Sequence, residues 1–305
     1  MLKGSGLKFG LIGAGSMGKN HARIAASLPG LRFVGVADAN LETAKAMGEE
    51  YGIKSFANFH ELLPEVDALS IVTPAAAHFE VASACIAAGK HLLIEKPFTG
   101  ASSLARTLVH QAKEKNVLVQ VGMIERFNPA FVRLVKEIKG EKIIGVDLKR
   151  FSPFPERISD ANVIFDMMFH DLDLLLALLP GEIEAVKAKG EKIRTKKLDR
   201  VVATVTYKTG TIARIDANRV FDSKVRKLAV TTDKSFIEAD LLAKTVYIRD
   251  FSSPTPSALP VKPVDQLTEE LKSFSLAVKN QTPPPVTAEG ALNVIMLAEE
   301  IEKAC

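Results

Sequence analysis

The stretch KFGLIGAGSMGKNHARIAA, residues 8–26, decides the fold. Residues 8–12 form a short apolar run of strand type, and a helical stretch begins at Ser16. Gly13, Gly15 and Gly18 lie at that junction with the G-x-G-x-x-G spacing of a dinucleotide-binding turn. Gly13 permits the tight turn, and Gly15 lets backbone N–H groups approach a pyrophosphate. Ser16 and Met17 supply the first helical turn, whose positive end attracts phosphate, and Gly18 lets the helix pack close to the sheet. Twenty positions on, Asp38 ends the second run in VGVADAN, placed to accept hydrogen bonds from a ribose. The competing reading of Asp38 is a plain helix N-cap ahead of Glu42. The same stretch also spells G-x-x-x-x-G-K through Lys19, but an NTPase loop needs Ser or Thr next, and Asn20 stands there. A carboxylate at 38 repels a 2′-phosphate and no Lys or Arg follows until Lys45, so NAD is favoured over NADP.

Outward from this turn, apolar runs at 32–37, 68–72, 91–94 and 117–121 alternate with helical segments at roughly 16–27, 41–51, 77–88 and 101–115. Such alternation predicts a doubly wound parallel sheet covered on both faces, an α/β domain over residues 1–121. Gly52 and Gly89 are placed as helix C-caps. Beyond 121 the pattern changes. A helix over 129–139, a strand over 143–151, a Pro-rich loop (SPFPE, 152–156) and a helix over 162–179 come first. Pro180-Gly181 stops that helix. Runs of β-branched residues over 183–249, broken by turn signals such as Lys208-Thr209-Gly210, predict a largely antiparallel open sheet. Helices at about 266–279 and 287–304 finish the chain, and residues 122–305 are read as a second α/β domain.

Composition narrows the function. The chain has 305 residues, 47% hydrophobic and 25% charged, ample for a buried core and against disorder. A net charge of +4 and the absence of tryptophan give no basic or stacking platform for nucleic acid. Cys85 and Cys305 lie far apart, with no Cys/His spacing for zinc or a disulfide framework, so no metal ligands are assigned. Nowhere do 18 apolar residues run together, so no membrane span is expected and a cytoplasmic location is the default. Seven Lys or Arg residues between Lys187 and Arg200 read as a solvated face.

Two further elements carry chemistry. Glu95-Lys96-Pro97 follows the run at 91–94, and ligands of open α/β sheets bind beyond the carboxyl ends of strands. A lysine there can hold a hydroxyl and stabilise its alkoxide as hydride leaves, although a lone Lys after a strand is more often a solvated charge. In DMMFHD, 166–171, the i, i+4 spacing puts Asp166 and His170 on one helix face, and a histidine can take a hydroxyl proton. The alternatives are an Asp serving the helix dipole, a His packed in the core, or a metal pair, for which no third ligand is evident.

Taken together, GAGSMG, Asp38, TPAAAH (73–78), EKP (95–97), RFNP (126–129) and DMMFHD resemble, in order and over nearly the whole chain, the Gfo/Idh/MocA family. The resemblance implies an N-terminal Rossmann domain and a C-terminal α/β domain whose open sheet commonly serves oligomerisation, hence a homodimer or homotetramer. It implies that Lys96 positions substrate, Asp166 binds a sugar hydroxyl and His170 is the general base. Thr73, Pro74 and His78 would line the dinucleotide groove, with Glu95 near the nicotinamide ribose.

Within the family, residues 122–130 and 217–242 look most like nucleotide-sugar 3-dehydrogenases acting on UDP-N-acetylglucosamine. Arg126 and Asn128 would then contact substrate. Lys224 or Arg226 could approach a diphosphate, against the simpler reading of both as a solvated strand edge. Arg219 stands where Trp is expected, which counts against the subfamily's sugar contacts. The expected activity is therefore NAD-dependent oxidation of a secondary hydroxyl of a sugar or nucleotide sugar. The alternatives are an inositol or free-sugar dehydrogenase, an NAD-dependent glycosidase, or a non-catalytic NAD-sensing regulator.

Overall fold

The structure, a computed structural model, describes residues 6–154 and 162–305. The chain divides into two compact units. One takes the residues up to Ile124 together with Asp265–Leu292; the other takes Glu125–Val264 and Asn293–Cys305.

In the first unit, β1 (Leu7–Ile12), α1 (Ser16–Ser27), β2 (Leu31–Ala37), α2 (Leu41–Tyr51), β3 (Lys54–Phe56) and α3 (Phe59–Leu62) make one half. The other half is β4 (Ala68–Ile71), α4 (His78–Ala87), β5 (His91–Glu95), α5 (Ser102–Lys115) and β6 (Val119–Gly122). All six strands are parallel, in the order β3-β2-β1-β4-β5-β6. This is the doubly wound dinucleotide-binding order, with its reversal between β1 and β4. Phe9, Leu11, Leu69, Ile71 and Leu92–Ile94 are fully buried, as continuous apolar strands between two helical layers must be. The strand β3 has no counterpart in the sequence reading. It is three residues long, at the sheet edge and no more than half-buried, so it carries no apolar run to detect.

The second unit begins with α6 (Pro129–Glu137) and β7 (Ile143–Phe151). A single π-helical turn over Ile164–Met168 then leads directly into α7 (Phe169–Leu178). The sheet is completed by β8 (Ile183–Glu191), β9 (Arg200–Tyr207), β10 (Ile212–Asn218), β11 (Val225–Thr232), β12 (Ser235–Asp240), β13 (Thr245–Asp250) and β14 (Ser257–Leu259). Its order is β14-β13-β12-β11-β7-β10-β9-β8, antiparallel throughout except for the parallel pair β7–β10. Along β9 the side chains alternate, Val201, Ala203, Val205 and Tyr207 inward and Arg200, Thr204 and Thr206 outward, the mark of a sheet covered on one face. The SPFPE loop lies partly outside the described residues.

Two helices close the chain, α8 (Gln266–Asn280) and α9 (Ala288–Ala304). Asp265 caps α8 by accepting the Thr268 amide at 2.9 Å. Leu267, Leu271, Phe274 and Val278 form one stripe on α8, packed with Phe9, Ile24, Leu28 and Leu93. This corrects the domain limits drawn from the sequence, which ended the first domain at 121 and placed everything later in the second. The period of an amphipathic helix shows that it has an apolar face, but not which core that face meets.

Candidate functional site

The glycine turn follows from contact geometry. Gly13 has φ +103°, a conformation that L side chains rarely adopt. A Cβ on Gly18 would stand 2.2 Å from the Gly13 carbonyl oxygen, so the first turn of α1 can pack only with glycine there. Beyond its neighbours in the chain, a Cβ on Gly15 would meet no atom of the described residues within 4 Å. Packing thus demands glycine at 13 and 18, whereas at 15 it leaves room beside the start of α1. That start has no side-chain cap and no acidic residue in its first turn, and Ser16 and Met17 are exposed. Its N–H groups therefore point at an anion site.

Asp38 faces this turn from the end of β2. Its Oδ2 accepts the Ala14 amide at 2.7 Å and its Oδ1 accepts the Asn40 amide at 2.8 Å. The N-cap of α2 is Asn40, accepting from Glu42 and Thr43, so the capping alternative for Asp38 is excluded. The carboxylate is held in place with lone pairs to spare, as a ribose partner must be.

After β4, Thr73 Oγ1 is buried with no hydrogen-bond partner among the described residues, a polar atom that a bound ligand would satisfy. Pro74 is exposed beside it. His78 corrects the expectation that it lines the groove. It is 1% exposed, and its ring bridges two backbone carbonyls, Nδ1 to Pro97 O at 2.8 Å and Nε2 to Thr73 O at 2.9 Å. It braces the loop after β4 against the loop after β5.

At the end of β5, Glu95 uses both oxygens within the protein. Oε1 lies 3.1 Å from His21 Nε2, and Oε2 accepts the Lys96 amide at 3.1 Å. Lys96 is partly buried, its peptide to Pro97 is cis, and among the described residues no carboxylate pairs with its ammonium. The turn at 13–18, Asp38, Thr73 and the Glu95-Lys96 corner all stand at the carboxyl ends of the parallel strands, where such sheets bind ligands. An uncapped helix start, room at Gly15, an anchored carboxylate and an orphaned hydroxyl together fit NAD.

In the second unit, Asp166 lies on the π turn and His170 in the first turn of α7, both partly exposed, while Ile164, Met168 and Phe169 turn inward. Single π turns inside helices recur at functional sites. Two aspartates further along α7 anchor arginines. Asp171 takes the Arg150 Nε to both oxygens at 2.9 and 3.0 Å, and Asp173 Oδ2 accepts Arg126 Nε at 2.7 Å. Burial pushes the Asp173 carboxyl above its usual range, and Arg126 pulls the other way. Arg126 remains 19% exposed, and among the described residues its Nη groups make no hydrogen bond.

Asn128 corrects the reading of it as a substrate contact. Its Oδ1 caps α6 through the Ala130 amide, and its Nδ2 donates to Glu125 Oε2 and Leu241 O. At 1% exposed it is a structural joint. The solvated-edge reading fits Lys224, which is exposed, but not Arg226, whose Nη1 donates to the buried Glu125 at 3.2 Å. Arg219 is fully buried, bonding Asp199 Oδ1 at 2.9 Å, so it is scaffold.

Sequence reasoning missed His21, Glu125, Arg150 and Asp173. For His21 a signal existed: with Gly18, Ala22 and Ala25 it shares the buried side of α1, a polar residue in an otherwise apolar helix face.

A family profile described as "Oxidoreductase family, NAD-binding Rossmann fold" matches residues 7–123, and the GFO/IDH/MocA C-terminal domain matches 148–238. UDP-N-acetylglucosamine 3-dehydrogenase of Acidithiobacillus ferrooxidans is 33% identical over 97% of this chain and 96% of its own length. Its solved structure superposes with a TM-score of 0.92 at 32% identity, covering 100% of this chain and 98% of that one. Myo-inositol 2-dehydrogenase of Thermotoga maritima is 25% identical over 98% of this chain and 96% of its own length.

Proposed function

Because this chain belongs to the Gfo/Idh/MocA family of NAD-binding oxidoreductases, we propose that it oxidises the C3 hydroxyl of UDP-N-acetylglucosamine. Acting on a CH–OH donor, it yields a ketone, a reduced cofactor and a proton. NAD, when bound, supplies the hydride acceptor. The N–H groups at the start of α1, the Asp38 carboxylate and the Thr73 hydroxyl would hold the cofactor, Asp38 through a ribose.

Lys96 donates to the alcohol oxygen and stabilises the negative charge that grows there as the C–H bond breaks. With no carboxylate paired to it among the described residues, its charge is left for the substrate oxygen. His170 takes the hydroxyl proton, and Asp166, on the same side of the π turn and α7, holds a neighbouring hydroxyl. Arg126, oriented by Asp173 through Nε, leaves its outer nitrogens for the substrate's diphosphate. Self-association into a dimer or tetramer through the outward face of the eight-stranded sheet belongs to this reading.

The observation that carries the reading is the Lys96 ammonium at the carboxyl end of β5, without a carboxylate partner among the described residues, in a unit whose helix start, Asp38 and Thr73 fit NAD. The full-length likeness to a nucleotide-sugar dehydrogenase supports the choice of substrate. The test is NADH formation from UDP-N-acetylglucosamine and, separately, from myo-inositol. Turnover of the nucleotide sugar alone is expected. Oxidation of the inositol alone would replace the substrate, and stoichiometric NAD binding with no oxidation would favour a regulator. Lys96→Met and His170→Ala should each lower kcat by about 100-fold or more while NAD affinity stays within a few-fold. Near-normal turnover in both would refute their roles.

A further inference from the structure

His21 lies on the buried side of α1, fully enclosed, three residues beyond the glycine that lets this helix approach the sheet. Its Nδ1 is 2.8 Å from Ser70 Oγ on β4, and its Nε2 is 3.1 Å from Glu95 Oε1 at the end of β5. The other Glu95 oxygen accepts the amide of Lys96. A carboxylate only accepts, which fixes the proton between the ring and Glu95. Nε2 carries a hydrogen toward Glu95, and Nδ1 pairs with the Ser70 hydroxyl, which can donate or accept. The Ser70 hydroxyl, both His21 nitrogens, both Glu95 oxygens and the Lys96 amide are then all paired, and His21 and Ser70 are fully buried, where an unsatisfied polar atom would be costly.

We infer that His21 is a positioning residue for Lys96. Seated by Ser70, it fixes the rotamer of Glu95, and Glu95 fixes the backbone on which the Lys96 side chain is mounted. A free Glu95 side chain could rotate into several staggered positions, and the Lys96 amide would lose its acceptor in most of them. Positioning of this kind matters because about 1 Å of misplacement at a reacting group can cost about 100-fold in rate. Glu270 on α8 forms the far wall, its carboxylate within 4.8 Å of the His21 and Glu95 ligand atoms. The inference rests on the role proposed for Lys96.

The test compares His21→Gln, His21→Asn and His21→Ala. Gln places a donor near the Nε2 position, whereas Asn reaches only the Nδ1 position. The first readout needs neither substrate nor cofactor: hydrogen exchange at the Lys96 amide, followed by NMR. Exchange should quicken at least about 10-fold in His21→Ala and His21→Asn and recover toward wild type in His21→Gln.

The second readout is kcat, with NAD affinity and Tm measured alongside. It should fall about 10- to 100-fold in Ala and Asn, with NAD affinity within about 3-fold, and be partly restored in Gln. Unchanged exchange at Lys96 in His21→Ala would overturn the inference, as would equal losses in Gln and Asn that follow Tm. A stoichiometric metal in the purified wild type, lost in His21→Ala, would also overturn it, since the imidazole would then be a ligand. A wild type that oxidises nothing while exchange at Lys96 still responds to His21 would remove the proposed function and leave the positioning contact standing.

Discussion

At the scale of single residues, Asp199 shows how much one carboxylate can organise. Its Oδ2 accepts three successive backbone amides, Ile193, Arg194 and Thr195, while Oδ1 takes Thr195 Oγ1 and Arg219. Burial pushes this carboxyl up, but the amides and the guanidinium overcome it and hold it far below the usual carboxylate range. Because the folded value is the lower one, the stabilisation is present above the unfolded value of about 3.9 and is lost as pH falls below it. Asp199→Asn should therefore cost about 3–5 kcal/mol at neutral pH, with the gap to wild type closing below about pH 4 in urea titrations. Asp38 supports a second expectation. Asp38→Ala should raise kcat/KM with NADP relative to NAD, since the charge facing a 2′-phosphate is removed. Asp38 and the glycines were readable because their roles depend on local spacing. Asn128, His78 and Arg226 were not, because the partners that use up their polar atoms come from Leu241, Pro97 and Glu125, at distances along the chain that no local pattern reports.

Among elements, the strongly periodic helices and the central strands were predictable to within a residue or two. The failures had physical causes. β3 is too short and too exposed to show a pattern, and the π turn at Ile164–Met168 keeps the same apolar rhythm as the helix it opens. The allegiance of α8 was hidden for a different reason, since four residues on one stripe would suit either core. Phe274, fully buried edge-on to Phe9 at 6.4 Å between ring centroids, anchors that stripe. Phe274→Ala should destabilise the first unit by about 3–5 kcal/mol, read as a lower Tm that saturating NAD partly offsets. A loss below about 1 kcal/mol would mean that α8 contributes little to this core.

On the scale of the whole molecule, the first unit is discontinuous: it needs Asp265–Leu292 to cover Phe9, Ile24 and Leu28. A chain ending at Ile124 should therefore be aggregation-prone and should not bind NAD. The same chain joined by a flexible linker to residues 265–292 should bind it, as isothermal calorimetry would show. Tight NAD binding by the shorter piece would show that α8 is dispensable.

The late arrival of α8 also sets an order on synthesis. A ribosome releases the glycine turn and Asp38 early, yet the helix that seals the hydrophobic surface beneath them emerges only after the entire eight-stranded sheet has been made. At about 5–20 residues per second that interval lasts roughly ten to fifty seconds. Throughout it the nascent nucleotide-binding half exposes a greasy flank, so chaperone occupancy on translating ribosomes should peak in this interval and fall once α8 has cleared the exit tunnel.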